Sequence, residues 1–219
     1  QYAFGDKFNP VLQNLKSGDH WIDVGSGSAK ALLEFLQQTN NHQIQTTAIS
    51  VTKPTAYSVL KKLFSTRHPG LLEKHRYLSG KTIEELDVQT DRIAAADLIT
   101  DLFGAFSYSP QIDQVLAKEI SMLKVGGKLF VHTPLLMLIK IFDPSGNKIA
   151  LHEWLGSIPG VKVSSFFADS DTIKAMDEFA LLNGFILERT SQELVVPQLK
   201  LINMSSEIVS ERTYISVKP

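Results

Sequence analysis

The 219-residue chain contains no cysteine. Disulfides, thiolate metal sites and a cysteine nucleophile are therefore excluded, while a reducing cytosol and a bridge-free secreted protein both remain open. Net charge is scarce as well, with 22 Lys and Arg against 23 Asp and Glu. No global field draws such a chain to nucleic acid or to an anionic membrane. Long apolar runs are missing: the longest, Leu135 to Phe142, is interrupted by Lys140 and falls far short of the roughly 20 residues of a membrane span. Nothing at the start reads as a signal peptide, so a cytoplasmic protein is expected. The first residue is Gln1 rather than Met, which fits a trimmed chain. Also absent are H-x-x-x-H or facial carboxylate spacing, a G-x-S-x-G elbow and a Walker loop, so no metal site is expected. What is present is ordinary: 43% hydrophobic and 21% charged residues are the proportions of one globular domain with a substantial core, spanning 1–219.

Along the chain, Phe8 to Leu15 reads as a leading helix and Trp21 to Val24 as the first strand. Gln45 to Val51 is β-branched and forms the second strand. A helix follows with Pro54 in its first turn and Ala56, Val59, Leu60 and Leu63 as its apolar stripe. Arg76 to Leu78 and Ala95 to Thr100 are the next strands, the latter apolar enough to be buried on both faces. Ser109-Pro110 starts a helix whose stripe is Ile112, Val115, Leu116, Ile120 and Leu123, with Gly126-Gly127 as its stop; Lys128 to His132 is then a strand. Alternating strands and helices predict right-handed parallel crossovers in one sheet. Thr172 to Leu182 reads as a late helix. Segments Gln198 to Met204 and Arg212 to Val217 are β-rich, and the loop between them is too short for a crossover helix, so they are expected to pair antiparallel.

The informative stretch is Trp21 to Leu36, WIDVGSGSAKALLEFL, where an apolar strand ends in an acid, enters a glycine-rich turn and starts a helix. Ala29, Leu32, Leu33 and Leu36 give that helix one apolar stripe, and Ser26 or Ser28 can cap it. Such a turn brings backbone N–H groups close to a small ligand. The dinucleotide fingerprint G-x-G-x-x-G/A would put a small residue where Lys30 stands, so that ligand class fits poorly. Asp23, Gly25, Gly27 and Ala29 instead follow Asp-x-Gly-x-Gly-x-Gly with alanine in the third glycine place. This resembles motif I of the class I S-adenosylmethionine (SAM) methyltransferases. The terminal antiparallel pair resembles that family too, and together they imply an α/β, three-layer, doubly wound, mostly parallel seven-stranded sheet of order 3-2-1-4-5-7-6 ending in an antiparallel hairpin.

The resemblance implies a SAM cofactor, with S-adenosylhomocysteine (SAH) as product, and a methyl transfer to a small-molecule acceptor. Asp23 would orient the ammonium, and Gly25, Ser26 and Gly27 would face the methionine part. Ser50 and Val51 would border the ribose, Lys81 and Thr82 the adenine, and Asp101 and Leu102 the sulfonium. The family's acid at the end of the second strand is replaced by Ser50, and its Asp near adenine by Lys81, with Glu84 the nearest acid. Asp101 and His132, both at strand ends, are the catalytic candidates; an acid there also caps backbone, and a histidine there is also commonly structural. Phe103, Phe106 and Tyr108 either shape an acceptor pocket or join the core. Residues 134–170, with His152, Glu153 and Trp154, are expected as a substrate lid or an embellishment on the sheet. Lys61, Lys62, Arg67, His68, Lys74, His75 and Arg76 are expected as a solvated face. The signature Asn-Pro-Pro-Tyr of DNA amino-methyltransferases is absent, and no nucleic-acid or membrane partner is expected, for a monomer or a homodimer. Two alternatives stand: a cofactor-free interaction module that kept the fold, and an aminopropyl transferase. A nicotinamide oxidoreductase is disfavoured by Lys30 and the terminal hairpin.

Overall fold

A computed structural model describes residues 7–39, 43–68, 70–133, 141–166 and 183–200. Its elements are α1 (Phe8–Gln13), β1 (His20–Val24), α2 (Lys30–Thr39), β2 (Gln45–Ser50), α3 (Thr55–Arg67), β3 (His75–Ser79), β4 (Ala96–Leu102), α4 (Ala105–Tyr108), α5 (Ile112–Met122), β5 (Leu123–Thr133), β6 (Ile141–Phe142), β7 (Lys148–Ile149), α6 (Leu151–Gly156), β8 (Val161–Phe166) and β9 (Asn183–Arg189). Seven strands form one sheet in the order β3-β2-β1-β4-β5-β9-β8, while β6 and β7 form a separate small ribbon. The pairs β1 with β2 and β4, β2 with β3, and β4 with β5 are parallel; β9 pairs antiparallel with both β5 and β8. Counted by position in the main sheet, this is the expected order 3-2-1-4-5-7-6.

Successive side chains on a strand point to opposite faces, and here neighbours divide between two cores. Trp21, Leu98, Phe130 and Ile186 pack with α1, α2 and α3 on one face. Ile22, Ile99, Val131 and Leu187 pack with α4, α5 and α6 on the other. The stripe Ala29, Leu32, Leu33 and Leu36 is at most 2% exposed, as its spacing requires. On α3 the expected stripe is displaced: Val59 and Leu63 are exposed, and Tyr57 and Phe64 are the buried residues. Two apolar stripes overlap on this helix, and the one that buries two aromatic rings removes more surface from water. Lys61, Lys62, Arg67 and Lys74 are exposed, as expected for a solvated face.

Three further expectations are corrected. Leu123 begins β5 instead of ending α5, which stops at Met122, and Gly126-Gly127 sit within β5. There the register jumps from Ala96 opposite Leu123 to Leu98 opposite Lys128, so the glycines accommodate an irregularity in the ladder rather than a helix end. The antiparallel end of the described sheet is formed by β8 and β9, earlier in the chain than the segments 198–204 and 212–217 from which it was expected. Of those segments, Lys200 makes an isolated bridge to Phe142, while 201–219, and with them the expected pairing, lie outside the described residues, as does the helix expected at 172–182. The described part of 134–170 is a ribbon, a helix and an edge strand. Ile141, Trp154, Leu155 and Ile158 are buried, and the Trp154 indole donates to the Pro197 carbonyl. Among the described residues, no helix is long and apolar enough to cross a membrane.

The six-residue α1 is held mainly by one side chain. Phe8 is its only buried residue, and its ring meets Trp21 and Phe130 edge-on, with centroids 6.0 and 5.2 Å apart. A helix this short has little stability of its own. Replacing Phe8 with Ala should therefore cost about 3 kcal/mol in urea unfolding, at the low end for a buried Phe, and should abolish hydrogen-exchange protection in α1 while leaving β5 protected.

Candidate functional site

The site lies outside the carboxyl ends of β1, β2 and β4, where the sheet order reverses, the usual place for a ligand in an open α/β sheet. β1 delivers the chain into the turn at Gly25, whose φ is +70°. A Cβ on Gly25 would stand 2.3 Å from the Gly104 Cα. One on Gly104 would stand 2.5 Å from the Val24 carbonyl oxygen and 2.6 Å from an Asp101 carboxylate oxygen. The β1 and β4 turns thus touch backbone to backbone, a contact that only a pair of glycines allows. Gly27 differs: its φ is +52°, but a Cβ there would meet nothing within 4 Å among the described residues. Ala29, in the third glycine place, also lies in the left-handed region at φ +57°.

Asp23 is half-buried at the end of β1. The Trp21 indole N–H donates to the Thr100 hydroxyl over 3.0 Å, and that hydroxyl donates to Asp23 Oδ1 over 2.6 Å. Burial pushes the Asp23 carboxyl up to about 7, the Thr100 bond pulls it back in part, and the nearby Asp101 pushes it further up. A group in this state gains most from a cation placed against it.

Asp101 is fully buried. Its Oδ1 accepts the Gly104 N–H over 2.7 Å and its Oδ2 accepts the Phe106 N–H over 2.8 Å, so it caps the turn that leads into α4. Behind it, Glu119 on α5 is equally buried, and neither of its oxygens has a hydrogen-bond partner of good geometry among the described residues. The adjoining group is the Asp101 carboxyl. Burial, first, and then Asp101 hold Glu119 protonated, well above the ordinary range. Burial also raises Asp101, against its hydrogen bonds. Two buried carboxyls without a cation keep a proton between them. Glu119 went unnoticed in the sequence because it falls on the buried side of α5 among apolar residues.

A cleft of about 220 Å³ is lined by Val24, Gly25, Ile49, Ser50, Val51, Thr52, Lys81, Ile83, Phe103, Gly104, Ala105 and Tyr108. Of the candidate cofactor residues, Gly25, Ser50, Val51 and Lys81 meet in this lining, whereas Asp23, Ser26, Gly27, Thr82, Asp101 and Leu102 are not part of it. Lys81 is the one charged residue in that lining, and it is paired with Asp91 at 2.7 Å. Thr82 is exposed, and its N–H goes to Glu85. Glu84 accepts the Ser109 hydroxyl. Leu102 is half-buried and packs with the α1–α3 core. Phe103 has φ +52° and stays 40% exposed at the cleft, a conformation a bulky residue rarely takes. Its N–H donates to the His132 carbonyl, and its ring meets the His132 ring edge-on at 5.0 Å. His132 itself is 1% exposed, burial lowers its pKa to about 4, and it is not part of the lining. Among the described residues, no group of His, Asp and Glu is arranged to hold a metal.

No family model matches the sequence, and no curated protein matches it. The fold has clear counterparts. An rRNA methylase from Streptococcus thermophilus superposes with a TM-score of 0.55, at 12% identity over 84% of this chain and 95% of that one. The StiE O-MT gives 0.54, at 12% identity over 82% of this chain and 71% of that one. The CurJ carbon methyltransferase gives 0.53, at 12% identity over 82% of this chain and 51% of that one. The chain thus has the Rossmann-like fold of the class I SAM-dependent methyltransferases.

Two outcomes follow from this geometry. Gly25→Ala should destabilise the protein by roughly 2–4 kcal/mol in denaturant titration, combining left-handed strain with the clash on Gly104, whereas Gly27→Ala should cost only about 1 kcal/mol. Glu119 has a folded-state pKa above its unfolded value of about 4.5, so its contribution is complete in acid and lost as pH rises. Glu119→Gln removes that loss. Its stability relative to wild type should increase with pH, which unfolding curves across the range will check; parallel curves would contradict the buried protonated acid.

Proposed function

We propose that this protein is a SAM-dependent methyltransferase acting on a small-molecule acceptor. The observation that carries this reading is the crossing of the Asp23–Ala29 turn against Gly104, with a half-buried acid at the strand end and open space over Gly27. The residues fit the cofactor. Asp23 would take its ammonium group, and the backbone of Gly25, Ser26 and Gly27 would take the methionine part. Ser50 and Val51 would border the ribose, and Lys81 and Thr82 the adenine. Leu102 would flank the sulfonium side.

When bound, SAM supplies an activated methyl group on a positively charged sulfur. What the chain must add is alignment, because the leaving thioether needs little acid or base assistance. Asp101 enters this proposal through the cap it places on the Gly104 turn, which fixes the wall of the cleft. His132 supports Phe103 from behind, and its low pKa keeps the ring neutral at physiological pH. Val51, Phe103 and Tyr108 are all exposed apolar or aromatic residues in the same lining, which favours an acceptor with apolar or planar surface. Among the described residues no acid lines the cleft, which does not favour a polyamine acceptor or the aminopropyl transfer reading. The near-neutral net charge supports a small molecule over nucleic acid.

The second reading, a cofactor-free interaction module, is favoured by one observation: Ser50 and Lys81 stand where the resemblance calls for acids. Calorimetric titration with SAM and SAH separates the two. Micromolar binding, weakened about tenfold or ~1.4 kcal/mol by Asp23→Ala, supports the enzyme; no binding to folded wild type supports the module. Asp23 also sets a pH dependence. An ammonium needs the carboxylate, so SAH affinity should rise with pH up to about 7 and then level off, while Asp23→Asn should flatten the rise.

A further inference from the structure

The end of β2 lacks the acid that a ribose diol would meet, and among the described residues no acid lines the cleft. A different group holds the adjoining position. Tyr77 lies on β3 opposite Ala48 of β2, and its hydroxyl reaches past the end of β2 to the glycine turn. There it donates to the Gly27 carbonyl, with the Thr52 carbonyl 3.3 Å away on the other side. The hydroxyls of Ser50 and Ser26 lie beside it. The ring is fixed by Tyr57, whose centroid is 3.9 Å away and which is itself only 2% exposed. The Lys53 ammonium lies over the Tyr57 ring at 5.5 Å.

We infer that Tyr77 replaces the missing acid, its hydroxyl being the group that, with Ser50, receives the hydroxyls of a ligand's sugar. The inference rests on the SAM reading above and deepens it. A phenol has one proton and two lone pairs. With the proton committed to a turn carbonyl, the oxygen's lone pairs are left to accept and are shared with the neighbouring Ser50 and Ser26 hydroxyls. Ser50, which lines the cleft where Tyr77 does not, supplies a second hydroxyl that can donate or accept. A carboxylate would accept both sugar O–H groups at once; the pair Tyr77 and Ser50 divides that work between two neutral residues. The same bond ties the glycine turn to the end of β2, so the sugar position and the methionine position are set by one residue. Burial raises the Tyr77 pKa, which keeps the subsite uncharged.

The test is calorimetric titration of wild type, Tyr77→Phe and Asp23→Asn with SAH and with 5′-methylthioadenosine, which has the nucleoside but no amino-acid part. Tyr77→Phe should weaken both ligands by roughly tenfold, the loss of one or two ligand hydrogen bonds. Asp23→Asn should weaken SAH alone. Ser50→Asp placed in the Tyr77→Phe background should restore much of the affinity, and if Tyr77→Phe proves unfolded by thermal melting, Ser50→Asp alone should tighten SAH several-fold. Unchanged or improved binding by folded Tyr77→Phe overturns the assignment of Tyr77 and leaves the cofactor reading standing, as does a Ser50→Asp variant that gains nothing in either background. Wild type that binds neither ligand overturns both.

Discussion

The contact on which the site depends is the approach of two backbones, Gly25 after β1 and Gly104 after β4. Parallel neighbouring strands end side by side, and side chains on both turns would normally hold the loops apart. Here neither turn has one, and a single added methyl group on Gly25 would lie 2.3 Å from the opposing Cα. Close-packed interiors cannot absorb such an overlap without moving a strand. The cleft beside this crossing is shaped by it: Gly25 and Gly104 both line the wall, and Phe103, held in a left-handed conformation next to Gly104, turns its ring outward.

The acids around the crossing divide into two kinds. Asp101 accepts two backbone N–H groups and is closed off by Glu119, so it maintains the loop and has no surface to offer a ligand. Asp23, one strand away, has its carboxyl fixed by a hydroxyl that an indole fixes in turn, and it remains half-buried. Burial raises the proton affinity of both. A cation brought to Asp23 therefore displaces a proton and fills an electrostatic deficit, whereas Asp101 already has its partners. On the β2 side there is no such charge. Tyr77, Ser50 and the Gly27 and Thr52 carbonyls make a neutral, hydrogen-bonding edge, and Lys81 is engaged with Asp91.

Much of the fold was legible because local patterns mapped onto whole elements. The α2 stripe, the β-branched β2 and the apolar β4 all fell within a residue or two of their observed spans. Errors came where two local patterns competed. On α3 the aliphatic stripe and the aromatic stripe overlap, and only the neighbouring β3, which presents Tyr77 to Tyr57, decides between them. At Gly126-Gly127 a helix stop and a strand irregularity use the same residues. The two strands at the antiparallel end of the sheet, β8 and β9, were not picked out, because alternation marks a strand without naming its partner. Val161–Phe166 and Asn183–Arg189 pair across a long stretch of intervening sequence.

The sequence by itself determined the alternation of strands and helices and the glycine turn with its acid, since each rests on residues within a few positions of one another. Tertiary structure alone decided the rest. It placed Gly104 against Gly25, Glu119 behind Asp101, Thr100 beneath Asp23 and Tyr77 beside the turn, pairs separated by 79, 18, 77 and 50 positions. Contacts between distant residues are set by strand order and side-chain length together. No window of sequence short enough to be read locally contains both partners.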